Sequence, residues 1–271
     1  MPQWLYKGMS AKLLTIDDRP VLRLERRLKH APERVWRAIT DPAELAHWFP
    51  ARVDVDLRDG GAIQFTFPGE DTTTTGRVVT ADPPREFTFV WNDDTLRWLI
   101  SPDGDGSLLE FTHTFGRGDP AIAKLAAGRN AAGWDVCLDA LDARLAGRDF
   151  ERPQRWHDRM ASYVDEFGLG YGEVPADGTI RFRRDLVWKP VDEVRALLPG
   201  EPGWHVVQDP LDGTRVEFAE AAEDDVPAQL TRRHEQLDKL FAATFGVDLP
   251  DWTPDRVEAL KKHYGQRPTQ G

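Results

Sequence analysis

The chain has 271 residues, room for one large domain or two modest ones. Its 35 Lys and Arg stand against 46 Asp and Glu, a formal net charge of -11, and no basic stripe breaks that balance, which argues against nucleic-acid backbone binding. One cysteine, Cys137, excludes an internal disulfide and fits a reducing cytoplasm. Met1 to Asp18 lacks the apolar core of a signal peptide, and no run approaches the roughly 20 apolar residues that span a bilayer, so a cytoplasmic protein is expected.

The first predicted element is a strand over 21–28, with Leu22, Leu24 and Leu28 on one face. Pro32 suits the first turn of a helix whose stripe is Val35, Trp36 and Ile39. Asp41-Pro42 starts a second short helix, with Asp41 as its cap and Leu45, Trp48 and Phe49 facing inward. Strands follow. Val53, Val55 and Leu57 alternate up to a turn at Arg58-Asp59-Gly60-Gly61, and Ile63, Phe65 and Phe67 form the returning face. Pro68-Gly69-Glu70-Asp71 is the next turn, and Gly76 to Ala81 the next strand, broken by Asp82-Pro83-Pro84. Phe87, Phe89 and Trp91 share a face, as do Leu96, Trp98 and Ile100, and then Leu109, Phe111, His113 and Phe115.

Gly116 to Pro120 ends this meander of about six strands, and a long helix runs from Ala121 to Leu145. Trp134, Leu138, Leu141 and Leu145 form its stripe, and Gly147 is placed to end it. Cys137 on this helix is expected to be a small buried hydrophobe. Burying both apolar surfaces requires the helix to lie across the concave face of a curved antiparallel sheet, an α+β helix-grip arrangement with an interior between sheet and helix.

The expected division is 1–150 for this domain, 151–176 for a helical linker with a flexible glycine loop at 168–172, and 177–271 for a smaller α+β unit. In that last part Ile180, Phe182, Leu186 and Pro190 fall where Leu22, Leu24, Leu28 and Pro32 fell, with Arg181 and Arg184 matching Arg23 and Arg26. One inserted residue aligns Val194 and Leu198 with Val35 and Ile39, and Trp252 with Arg256 repeats Trp156 with Arg159. Leu230, Leu237, Phe241 and Phe245 predict a terminal helix ended by Gly246. The pattern is read as a truncated second copy, with coincidence as the alternative, because an alternating strand before a Pro-started helix is common. With strand candidates only at 204–208 and 213–219 after the first, that copy is expected not to close a sheet of its own. The acidic cluster Glu217, Glu220, Glu223, Asp224 and Asp225 is expected to be a solvated edge, with a docking patch for a basic partner as the alternative.

Several of these segments, in this order and spacing, resemble the family called activator of heat-shock protein 90 ATPase homologue, with bacterial members, within the SRPBCC or START-like superfamily. They are Ala31 to Ala38, Asp41-Pro42 leading to Trp48-Phe49, Asp59-Gly60-Gly61, Gly76-Arg77-Val78, Pro84 to Trp91, Leu109 to Thr114 and Gly133-Trp134. The resemblance runs from about residue 20 to 147. It implies the helix-grip fold with a pocket; the superfamily includes lipid carriers, hormone receptors, polyketide cyclases and oxygenase domains. Function must be argued from the residues inside.

No nucleophile elbow, His-Glu-x-x-His, Cys-x-x-Cys or Walker loop occurs, and no cofactor or metal is expected. The candidate pocket is lined by Trp48, Phe65, Phe67, Phe89, Trp91, Trp98, Phe111, His113, Phe115, Trp134, Leu138 and Leu141. Three functional readings follow. The first is a noncatalytic protein that takes a small hydrophobic or aromatic molecule into the grip. The second is an interaction or co-chaperone-like module docking a protein through its acidic second unit. The third is a cyclase- or hydrolase-type enzyme with His113 as acid or base; against it stands the reading of His113 as a core histidine bonded to a neighbour.

Overall fold

Leu22, Leu24 and Leu28 are buried on one face of a ten-residue strand, as their period-two spacing requires. The computed structural model describes residues 11–69, 73–209 and 213–266; the Glu70-Asp71 half of the second expected turn lies outside the described residues. The chain divides into two compact units, Met1–Tyr163 and Val164–Gly271.

The first unit begins with β1 (Ala11–Ile16) and β2 (Arg19–Leu28). Then come α1 (Pro32–Thr40), with Pro32 in its first turn, and α2 (Pro42–Leu45), where the Asp41 carboxylate accepts from the Ala43 amide at 2.9 Å. Six strands follow: β3 (Arg52–Val55), β4 (Ala62–Thr66), β5 (Thr73–Asp82), β6 (Glu86–Trp91), β7 (Asp94–Asp103) and β8 (Gly106–Thr114). All pairings are antiparallel in the order β1-β2-β8-β7-β6-β5-β4-β3, so the last strand returns to pair with β2. Trp98 and Leu24 thereby flank Phe111 as cross-strand neighbours.

Next, α3 (Pro120–Ala123), a 3₁₀ turn (Lys124–Ala126) and α4 (Ala127–Leu145) run on without a break in the helical path. Trp134, Leu138, Leu141 and Leu145 are all buried. Gly147 ends the helix at φ +66°, and the Arg148 amide returns to the Ala143 carbonyl at 2.9 Å. α5 (Trp156–Glu166) follows.

Two local expectations change. β1 was not foreseen, because Leu14 and Ile16 are exposed on an edge strand and leave no alternating signal. Leu57 is not on the face of Val53: β3 ends at Val55 and Leu57 is exposed in the turn.

The second unit contains β9 (Thr179–Asp185), α6 (Val191–Leu197), β10 (Trp204–Asp209), β11 (Gly213–Ala221), α7 (Val226–Ala243) and α8 (Pro254–Gln266). The expectation that this part cannot close a sheet is corrected: β9 supplies the third strand of a sheet ordered β10-β11-β9. Phe182, Phe218 and Trp204 lie side by side across it, with Leu230 and Leu237 of α7 also buried in this unit. The 168–172 loop, expected as a flexible connection, is packed within the second unit. Leu169, Gly170 and Gly172 are buried, and the Gly172 amide donates to the Tyr264 hydroxyl at 3.0 Å. A methyl group on Gly172 would come within 2.5 Å of the Phe182 ring and 2.6 Å of Leu230, so the packed loop leaves no room for a side chain there.

Candidate functional site

The interior of the first grip is aromatic because every second residue of β4, β6, β7 and β8 falls on one face of the sheet, where the rings gather. Trp98 lies over Phe111 with centroids 4.1 Å apart, and Trp134 of α4 meets Phe111 at 4.4 Å. Trp48 stands edge-on to Trp98 at 5.9 Å and donates its indole N–H to the Ala38 carbonyl at 2.8 Å. Phe49 links Trp134 to Phe65, and Phe65 continues to Phe89 at 5.7 Å. Among the expected pocket residues, Trp48, Phe65, Phe89, Trp98, Phe111, Phe115, Trp134, Leu138 and Leu141 are buried. The rings touch one another.

Phe67 and Trp91 differ. They are half-buried at the end of the aromatic row, where Trp91 stacks on Phe65 at 4.4 Å and on Phe67 at 5.8 Å, with interplanar angles of 29° and 16°. The Trp91 indole N–H donates to Thr74 Oγ1 at 2.9 Å, which fixes the ring.

His113 is only 5% exposed, and both of its ring nitrogens are engaged. The Trp134 indole N–H donates to Nδ1 at 3.1 Å, so Nδ1 is an acceptor and Nε2 carries the proton that faces Asp94 Oδ2 at 2.9 Å. Asp94 Oδ1 accepts from the Gly116 amide at 2.9 Å. A side chain at Gly116 would collide with the Asp93 carbonyl, so this clasp requires glycine there. The chain of bonds ties α4 to β8 and to the start of β7. Asp94 was not foreseen, since nothing in the sequence marks that the residue two before Leu96, the β7 partner of His113, comes within its reach.

A second network was also missed. Arg26, on the inward face of β2, pairs with Asp135 and, at 3.5 Å, with Asp139 of α4; Arg159 of α5 holds the same two acids at 3.4 and 2.9 Å. The available signal was an arginine in register with the buried leucines. Elsewhere on the sheet, the Arg97 bond holds the Glu86 carboxyl below the ordinary range. Burial pushes the Cys137 thiol up to about 11.

The acidic cluster of the second unit faces solvent, as expected, with Glu223, Asp224 and Asp225 exposed, and most of it is ion-paired. Glu217 meets Arg215 at 2.7 Å, Glu220 meets Arg233 at 2.6 Å and Glu223 meets Arg232 at 2.9 Å. Asp225 caps α7 through the Ala228 amide and holds Lys261 at 2.7 Å. Among the described residues, no group of three or more His, Cys, Asp or Glu is arranged to hold a metal ion, and no helix is long and apolar enough to cross a membrane.

A curved antiparallel sheet closed on a long helix, with an aromatic interior, defines the first unit as a helix-grip domain of the SRPBCC class. Residues 29–146 match the model of the family described as Activator of Hsp90 ATPase homolog 1-like protein. A conserved protein of unknown function from Enterococcus faecalis is similar over 59% of this chain and 91% of its own, at 16% identity and a TM-score of 0.51. CalU16 from Micromonospora echinospora is 23% identical, covering 59% of this chain and 96% of its own, with a TM-score of 0.46. A Rhodobacter sphaeroides protein is 26% identical, covering 51% and 99%, with a TM-score of 0.41. No curated protein matches the chain.

Proposed function

We propose that the first unit binds a small hydrophobic or aromatic molecule by insertion beside Phe67 and Trp91, without covalent chemistry, in a cytoplasmic protein. The observation that carries this reading is the Phe65–Trp91–Phe67 stack, which runs from the packed interior to a half-buried rim. A planar guest placed there extends an existing row of rings and is removed from water on both faces, at about 25 cal/mol per Å² of apolar surface. The deeper rings support the rim by fixing it in place. Catalysis by His113 is disfavoured because Trp134 and Asp94 occupy both ring nitrogens. Docking through a free acidic patch is disfavoured by the internal ion pairs of that cluster.

The test is a titration of the full chain with 1-naphthol, read by tryptophan fluorescence, for wild type and Trp91→Ala. Saturable binding that weakens about tenfold in the variant supports the reading, a loss in keeping with one aromatic stack. Failure to saturate, or equal affinity in the two proteins, removes it.

A further inference from the structure

Several contacts of the first unit recur at corresponding places in the second. In the first, β8 lies between β2 and β7; in the second, β11 lies between β9 and β10, and all pairings are antiparallel. Phe111 has Leu24 and Trp98 as cross-strand neighbours, and Phe218 has Phe182 and Trp204. The Trp–Phe centroids are 4.1 and 4.7 Å apart. Arg26 and Arg159 share Asp139 of α4; Arg184 and Arg256 share Asp238 of α7, at 3.1 and 3.3 Å. The Ala11 amide donates to the Tyr163 hydroxyl beside the Lys12–Arg23 pairing, and the Gly172 amide donates to the Tyr264 hydroxyl beside the Glu173–Arg181 bridge. Even the central clasp has its counterpart. Where Trp134 covers Phe111 and bonds His113, Arg233 covers Phe218 at 4.7 Å and bonds Glu220 through two nitrogens.

What has no counterpart is β3 to β6. In the first unit β6 covers the edge of β7, with Phe87 opposite Trp98 and the Ile100 amide donating to the Arg85 carbonyl at 2.8 Å. The matching strand β10 is an edge. The Ala219 amide bonds the Gly203 carbonyl, so by antiparallel alternation His205 and Val207 point their amides at β11. The amides of Trp204, Val206 and Gln208 then face the open edge. Side chains register the same loss. Ala38, Ile39 and Ile100 are buried, whereas their counterparts Leu197, Leu198 and Val206 are 39% exposed, half-buried and half-buried.

We propose that the second unit is a shortened copy of the first grip, and that the open edge of β10 takes up an extended apolar strand of a partner protein. The occupant is defined by what fills the equivalent place in the first unit: an antiparallel segment whose alternate residues are aromatic, as Phe87 and Phe89 are in β6. Backbone bonds from Val206 fix its register, and Leu197, Leu198 and Trp204 receive its apolar side chains. In sequence Pro202 and Pro210 flank β10 and Asp209 ends it, so the edge is open along its middle, at the outward amides of Trp204, Val206 and Gln208. This inference is independent of ligand binding at Trp91.

A peptide of residues 85–92, Arg-Glu-Phe-Thr-Phe-Val-Trp-Asn, is the probe, with its scrambled sequence as control. Added to the full chain, it is expected to bind saturably at one per chain and to slow hydrogen exchange at the Trp204, Val206 and Gln208 amides. Val206→Pro removes one outward amide while sparing the β11 ladder, and is expected to weaken binding at least tenfold. If that variant does not fold, Leu197→Lys at an exposed position decides, with the same expected loss. Exchange slowed elsewhere, equal binding of the scrambled peptide, or undiminished binding by both variants overturns the proposal. A dimer of the unmixed chain with protected β10 amides overturns the partner assignment by placing a second copy there.

Discussion

Trp134 donates its indole N–H to Nδ1 of His113 across 3.1 Å, and this one bond decides both the tautomer of the histidine and its role. With Nδ1 accepting, Nε2 must donate to Asp94, and the imidazole becomes the middle of a clasp between helix and sheet.

His113→Ala leaves the Trp134 N–H and an Asp94 oxygen without their partner in the interior. The expected cost is about 2–3 kcal/mol, and Trp134→Phe, which shrinks a buried indole to a phenyl ring and leaves His113 Nδ1 unpaired, is expected to cost about as much. Chemical denaturation of the two variants and their double mutant tests the coupling. A double-mutant cost equal to the sum of the two single costs would contradict the clasp.

Cys137 is buried and its thiol is pushed up to about 11, so at pH 8 it is both protonated and inaccessible. The native chain is expected to leave a disulfide reagent unreacted for hours and to consume one equivalent on addition of denaturant. Rapid stoichiometric labelling of the native protein would refute this.

Acid sensitivity should arise partly at two carboxylates. The hydrogen bonds from Arg97 to Glu86 and from Arg233 to Glu220 hold both carboxyls below the ordinary value of 4.5. A folded-state value below the unfolded one means that the stabilisation is complete above the unfolded value and is lost as pH falls through the folded one. Stability should therefore decline below about pH 4.5, and less steeply in E86Q/E220Q. Denaturation midpoints across an acid series measure this; parallel slopes for the two proteins would speak against it.

Arg184 is buried with its side chain 4% exposed, and Asp238 is its carboxylate partner. Asp238→Asn removes the countercharge and is expected to destabilise the second unit by about 3 kcal/mol. Amide exchange in β9 and α7 reports it: faster exchange is expected, and unchanged protection would mean the pair contributes nothing.

The strands of the first unit were legible because one face of each is apolar and period two cannot be mistaken for a helix over Phe87-Thr88-Phe89-Val90-Trp91. β1 was not, since an edge strand with outward Leu14 and Ile16 obeys no burial pattern. The expected ring set was found in the interior, but spacing could not tell rings that face a guest from rings that face each other. Only Phe67 and Trp91 stay half-buried. The acidic cluster faces solvent as expected, but its partners Arg232 and Arg233 were not legible, because only the return of α7 brings them close.

Periodicity, turn residues and the spaced Trp and Pro of the sequence by themselves determined the helix-grip fold of the first unit, because it depends on local burial patterns repeated along the chain. Partner choice was left to the tertiary structure. Asp94 for His113, Asp139 for Arg26 and Arg159, Asp238 for Arg184 and Arg256, and the uncovered edge of β10 all depend on strand register and helix placement. A one-residue change of register sends a side chain to the opposite face, and no single segment of sequence fixes that alone.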